Sequence, residues 1–395
     1  MTFSSHDSEP AEVPLERGVL VLTALAIAQG AGSIAYGSLP PLLPPYVKIL
    51  HLGVRGAGLL SAGFGIGALL GVLPACVLAG RNPRSTAMAG LLILAASTAV
   101  VGFAKATPQI DLARLGQGFG DSLAGTAALT AIFQVAPTSR QSEALGQINT
   151  LAITGAFLGP TLAVAAGEWG THWAFSVAAI SIALLATSAF WIPTRSGSGE
   201  SAKVLVTSVA QALAHKQSLP LALQAALGGL LATLGPLRLS RAGWSSTSVA
   251  AAFLSGAVLG ALFYTRVGRR CDLRGARAVT IELLVASAFG AAALAFGNRW
   301  VLAPILGIDT AIVSVLAIPT ISRLFAPPEQ SGRPHGSSSA LVFAVWAIFN
   351  VAGALGAASI AAVLGTSLPF LFAAALCLLI GILESLPRSA SCADG

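Results

Sequence analysis

Three charged side chains stand well inside otherwise apolar stretches of this sequence, away from their ends: Arg114, Asp121 and Asp309. A charge at hydrocarbon depth is costly, so such residues face a protein interior or a wet cavity and mark ion or substrate paths by default. Asp121 follows Arg114 by seven residues, two helical turns, which puts both on nearly the same helix face. At helical rise Asp121 lies about 18 Å into its stretch and Asp309 about 14 Å into its own. Burial favours a neutral acid and a nearby cation favours the carboxylate, so a carboxyl between those two pulls can load and release a proton. Proton coupling is therefore the chemistry on offer, with Arg114 holding the acid ionised until their contact weakens. The bland alternative is an arginine resting on a helix end or carbonyl and two acids satisfied by neighbouring serines.

The elements that hold these residues are apolar helices. Of 395 residues, 55% are hydrophobic and 9% charged, and the mean hydropathy is +0.81. Soluble domains carry about a quarter of their residues as Asp, Glu, Lys and Arg, so a single water-soluble core is excluded. Glycine and proline divide the chain into about twelve segments of helix-spanning length. These run over roughly 18–40, 57–79, 86–104, 109–134, 143–167, 172–192, 218–238, 247–266, 278–296, 300–323, 338–363 and 368–386. The proline pairs Pro40-Pro41 and Pro44-Pro45 are expected to end the first segment. The fold class is all-α integral membrane, twelve helices in two pseudo-symmetric six-helix bundles. The longest polar interruption sets the domains at 1–193, a cytoplasmic linker 194–217, and 218–395.

The formal charge is +7. With both termini in the cytoplasm, fifteen of the 22 Lys and Arg fall on the cytoplasmic side and six on the other, and Arg114 is left in a span. The basic residues are spread over short loops, so no nucleic-acid footprint is expected. Cys76, Cys271, Cys377 and Cys392 form no CxxC pair, and the histidines lie at predicted loops or tails, so neither a disulfide framework nor a metal site is expected. Residues 1–16 are polar with no cleavage site after the first apolar run, so that run is expected to stay in the mature protein. There is no Walker-type loop, G-x-S-x-G or H-E-x-x-H, so neither ATP use nor an enzyme is expected. Gly63, Gly67 and Gly71, at four-residue spacing, read as a helix-packing ridge.

The halves resemble each other at a spacing of about 190 residues, as a duplicated six-helix unit requires. Gly53 with its apolar run pairs with Gly243, the basic turn Arg81 to Arg84 with Arg266 to Arg277, and Ala136-Pro137 with Ala326-Pro327.

Several stretches together resemble the major facilitator superfamily. Arg114-Leu115-Gly116-Gln117-Gly118-Phe119-Gly120 is similar to the family's R-x-x-Q-G-x-G. Gly146, Gly155, Gly159 and Pro160 resemble the helix-bending signature of its exporters and antiporters, with Ala163 where a further glycine is usual. Gly268, Asp272 and Gly275, with Arg277, resemble its gating loop; the first-half counterpart keeps Arg81 and Arg84 but has Cys76, Gly80 and Pro83 where Gly, Asp and Gly are expected. The resemblance, nearest to the twelve-helix drug:proton antiporters, implies that spans 1, 4, 7 and 10 line a central cavity. Asp121 and Asp309 would then lie in it as proton-coupling residues with Arg114. Gln29, Ser33, Tyr36, Gln117, Gln224 and Asn350 are its candidate cavity residues.

The function expected is export of a small lipophilic molecule by proton antiport with alternating access; the alternatives are uptake by the same fold, or a transporter-like sensor that moves nothing. The expected partners are a small-molecule substrate, protons and the lipid bilayer, with no cofactor and no nucleic acid. The chain is expected as a monomer in the cell membrane, both termini cytoplasmic.

Overall fold

The computed structural model describes residues 15–135, 141–193, 206–207, 209–210, 218–324 and 335–386. These form twelve long helices: α1 Leu15–Ile49, α2 Val54–Arg81, α3 Pro83–Phe103, α4 Thr107–Val135, α5 Gln141–Trp169, α6 Thr171–Leu185 with a 3-10 extension Ala186–Trp191, α7 Leu219–Arg241, α8 Ser246–Arg274, α9 Ala276–Phe296, α10 Arg299–Leu324, α11 His335–Leu364 and α12 Leu368–Ser385. Eleven are long and apolar enough to cross a membrane. The exception is α4, whose Asp111, Arg114, Gln117 and Asp121 lower its hydropathy. Most of the linker 194–217 and both Ala-Pro pairs lie outside the described residues.

One expectation is overturned. Pro40, Pro41, Pro44 and Pro45 do not end the first span; α1 runs through all four to Ile49. Proline removes a backbone donor and would break an isolated helix. In a packed membrane bundle the neighbouring helices and lack of competing water hold the segment helical, and Leu39, Leu42 and Leu43 are buried there.

Helix packing repeats between the halves. In the first, α1 packs on α5, α2 on α4, and α3 on α4 and α6; in the second, α7 packs on α11, α8 on α10, and α9 on α10 and α12. The halves meet through two equivalent pairs, α2 with α11 and α5 with α8. A pseudo-twofold exchange of the halves turns each pair into the other, as a duplicated unit demands.

The outer surface is apolar. Leu70, Phe289, Phe296 and Ile382 are exposed, a surface that lipid tails solvate and water does not. Trp169, Trp173 and Trp300, also exposed, cluster where α5 ends and α6 and α10 begin, one end of the bundle, as an interfacial aromatic belt would.

Small residues let the helices approach. The ridge Gly63, Gly67 and Gly71 of α2 faces α4, and a methyl group there would meet Arg114, the Leu115 carbonyl and the Phe119 carbonyl respectively. Gly155 and Gly159 of α5 lie against Gly30, Ile34 and Gly37 of α1, while Gly146 lies against Tyr264 and Thr265 of α8. Two of these signature glycines thus bind α5 into its own half, and the third joins the halves. α5 remains helical through Pro160, whose ring packs near Gly37.

The helix ends opposite the aromatic belt are tied by arginines. Arg277, at the start of α9, donates from Nε to the Glu384 carbonyl at 2.6 Å and from Nη2 to the Leu386 carbonyl at 2.5 Å. Arg323, at the end of α10, donates to both Glu384 carboxylate oxygens at 3.0 Å, with both side chains about nine-tenths buried. Removing one partner of such a pair leaves an uncompensated charge. Glu384→Gln is therefore expected to destabilise the protein by about 3–5 kcal/mol; a fall in the thermal unfolding temperature of the purified protein checks it.

Candidate functional site

Between the halves lies a cavity in two adjoining lobes of about 210 and 190 Å³. Gln29, Ser33, Tyr36, Asn149, Gln224 and Trp346 line both lobes. The second reaches Leu129, Leu221, Ile321 and Val342, towards the end of the bundle where α1 begins and α12 ends.

Asp121 lines this second lobe. It sits directly against the α1 backbone, so that a side chain added at Gly32 would occupy the place of its carboxylate. Among the described residues no hydrogen-bond donor or cation pairs with it. Among the described residues it is the only Asp or Glu on either lobe, and no described Lys or Arg lines them.

Arg114 is not brought to Asp121. Seven residues place the two on one face but about 10 Å apart along the axis. The guanidinium finds nearer partners: Nη1 donates to the Ala35 carbonyl of α1 at 2.8 Å and to Gln117 Oε1 at 3.0 Å, and the group lies 5.0 Å from the centre of the Phe64 ring. Gln117 passes the chain on, donating from Nε2 to Thr98 of α3 at 3.1 Å. Gln117 is buried in this interhelical network rather than on the cavity wall.

Asp309 also departs from its expected place. Its neighbours Thr310, Val313 and Ser314 line the cavity, but Asp309 points elsewhere, fully buried. Its Oδ1 accepts from Ser287 of α9 at 2.9 Å, and its carboxylate lies against Gly290. Depth along a helix fixes height only. A step of one residue turns a side chain by about 100°, enough to move Asp309 from the cavity wall to the α9 contact.

The remaining cavity candidates, Gln29, Ser33, Tyr36, Gln224 and Asn350, all line it. Asn350 of α11 donates from Nδ2 to the Tyr36 hydroxyl of α1 at 3.0 Å, a hydrogen bond across the two halves. Tyr36 forms an edge-to-face cluster with Phe64 and Trp346, with ring centroids 5.4 and 5.9 Å away. Arg114 thus supports the aromatic wall from behind, through the Phe64 face and the Ala35 carbonyl next to Tyr36.

Sequence reasoning missed Asn149, Tyr264, Thr310, Ser314, Phe343 and Trp346. Asn149 lies one helical turn beyond Gly146, and Thr310 is adjacent to Asp309, signals that a close reading of helix faces could have used. Nothing about Trp346 distinguished it from a lipid-facing aromatic.

The gating-loop residues occupy helix ends. Gly275, with φ +84°, separates α8 from α9, a conformation that glycine adopts without strain. Gly268 is buried in the last turns of α8, and Asp272 is exposed. In the first half Asn82 replaces the glycine turn: its backbone is extended and its side chain accepts from the Ser85 amide at 3.1 Å, capping α3. Arg84 donates to the Ile192 carbonyl at 3.1 Å, and Arg81 is exposed. The turn thus forms there without the Gly-Asp-Gly spacing.

A family profile described as Major Facilitator Superfamily matches residues 25–349. Among solved structures, the human organic anion transporter MFSD10 (TETRAN) superposes with a TM-score of 0.63 at 17% identity, over 95% of this chain and 100% of that one. No curated protein sequence matches the chain.

Proposed function

This chain belongs to the Major Facilitator Superfamily, and on that premise we propose that it exports a small lipophilic cation in exchange for protons. It is a multi-pass membrane transporter and not an enzyme. The observation that carries the finer reading is the carboxyl group of Asp121, the only one among the described residues of a cavity whose other described residues are aromatic, aliphatic or neutral polar.

A carboxylate without a protein partner must be neutralised, by a proton or by a cationic cargo. The two then compete for one group. Cargo entering from the cytoplasm displaces the proton; after the bundles rock to the other side, a proton displaces the cargo and the cavity returns. Tyr36, Phe343 and Trp346 provide the apolar and π surface that a lipophilic cation needs. The structural neighbour is described as an organic anion transporter. An anion here would meet Asp121 with no basic side chain among the described residues of the wall, which favours a cation instead.

Arg114 enters this mechanism as a positioning residue for the aromatic wall. Asp309, sealed away from the cavity, has no part in it. We further propose that the protein works as a monomer in the cell membrane with both termini cytoplasmic, in keeping with the distribution of basic residues.

The test uses inside-out vesicles energised by respiration and loaded with a pH-sensitive dye. A panel of lipophilic cations and aromatic carboxylates is added in turn. A cation-dependent release of protons is expected. A response to carboxylates alone, or to none of the panel with folded protein present, removes the reading.

A further inference from the structure

Resting on the cation-cargo reading, we infer that the cavity selects organic cations that also carry a neutral hydrogen-bond acceptor, a carbonyl or ether oxygen, and that the Trp346 indole N–H receives that oxygen. Trp346 lines both lobes, whereas Asp121 lines the second alone. A ligand with its charge at Asp121 therefore meets Trp346 without leaving the second lobe.

The warrant is the state of the indole nitrogen. Among the described residues it has no hydrogen-bond partner, Asp121 included. Nor is it sealed in. The unpaired Gln224 Oε1 and Asn350 Oδ1 are shut off within the protein, but the unpaired indole nitrogen keeps accessible surface on a half-buried residue of the cavity wall. The ring that carries it is held in place. Tyr36 and Phe64 pack edge to face with it, at centroid distances of 5.9 and 6.4 Å and interplanar angles of 63° and 85°. Those two rings are fixed in turn, Tyr36 by Asn350 and Phe64 by the Arg114 guanidinium on its face. The donor is thus preorganised, and little side-chain freedom is lost when a ligand meets it.

The sign of the preference follows from what each group can do. The Ser33 hydroxyl and the Gln29 amide on the same wall can turn to meet either a donor or an acceptor. An indole can only donate, and a carboxylate can only accept. The second lobe therefore suits a cation at Asp121 together with an acceptor at Trp346. A ligand that fills the lobe without an acceptor strips the N–H of water and leaves it unpaired, which costs the desolvation of a polar group. Sites built to hydrogen-bond a ligand reject the analogue that cannot do so far more strongly than apolar pockets reject a change in size.

The experiment measures binding to the full chain in lipid nanodiscs of phenyl ketones with a dimethylammonium group three or four methylenes from the carbonyl. Each is paired with the analogue in which a methylene replaces the carbonyl, and 4-oxo-4-phenylbutanoate is the anionic control. At one spacing or both, the ketone is expected to bind at least about tenfold more tightly than its partner. In Trp346→Phe, which keeps a ring and loses the donor, that ratio should fall to one or below, whatever the smaller ring costs both ligands. A preference below tenfold, or none, at both spacings on the unaltered chain overturns the inference, and binding of the amines then leaves the cation reading standing. Binding of no amine, or of the carboxylate alone, overturns the cation reading as well. A full-size preference that persists in folded Trp346→Phe removes the assignment to the indole. The ligand pairs decide on the unaltered chain, whether or not the variant folds.

Discussion

Asp121→Asn is expected to bring cargo-driven proton movement down to the background of vesicles lacking the protein, a loss of at least about a hundredfold, while the protein still folds. The size follows from the placement of the charge. Asp121 is the only acid among the described residues of the cavity wall, so no second carboxyl among them can take over its proton. An amide keeps nearly the same shape against Gly32 but neither ionises nor binds a proton in this pH range. Folding should be little affected, because no described residue depends on that carboxylate for a hydrogen bond or ion pair. Dye-loaded inside-out vesicles measure the coupling, and thermal unfolding of the purified variant reports the fold. Asp309→Asn is the informative control. Asp309 is sealed against α9, so its loss should leave coupling in place. Coupling that survives Asp121→Asn and fails in Asp309→Asn would move the proton site out of the cavity.

Gly118→Val should prevent accumulation of folded protein. Gly118 of α4 lies on the backbone of α2, where an added methyl group would run into the Phe64 carbonyl and the Ala68 amide. From the other side, Gly67 meets the Leu115 carbonyl in the same way. Backbone cannot swing aside as a flexible side chain can, so the helices must separate. Overpacking of this kind costs about 1–3 kcal/mol and more where nothing can yield. The damage would reach the cavity, because Phe64 stands between Arg114 and Tyr36. Size-exclusion profiles of the solubilised variant give the readout. Gly356→Ala, where nothing lies within 4 Å, should behave as the unaltered chain does. A monodisperse Gly118→Val protein with an unchanged unfolding temperature would show that the α2–α4 contact is not needed for the fold.

Much of the architecture was legible because membrane folding leaves few alternatives. Backbone groups in hydrocarbon must be satisfied within the segment, so a long apolar run is a helix whatever its neighbours are. Helix number and the small-residue ridge of α2 followed from this. The proline pairs of α1 misled, because proline's local effect was weighed without the bundle that holds the helix together. The site was legible in part. Gln29, Ser33, Tyr36, Gln224, Asn350 and Asp121 lie on the cavity, while Gln117 and Asp309 do not. Spacing tells how far along a helix a polar residue sits, but the face that meets water is chosen by the partners.

By itself, then, the sequence determined a chain of membrane helices, the ends of most of them, and the height at which its few charges must lie. Those properties are local, being set by apolar length and by the cost of a charge in hydrocarbon. Only the tertiary structure decided that Arg114 pairs with a carbonyl of α1, that Asp309 turns to Ser287, and that Asp121 alone faces the cavity. Each of these outcomes depends on which helix stands beside which. That is settled by the close contacts of glycine-lined backbones far apart in the chain, and no segment carries the information alone.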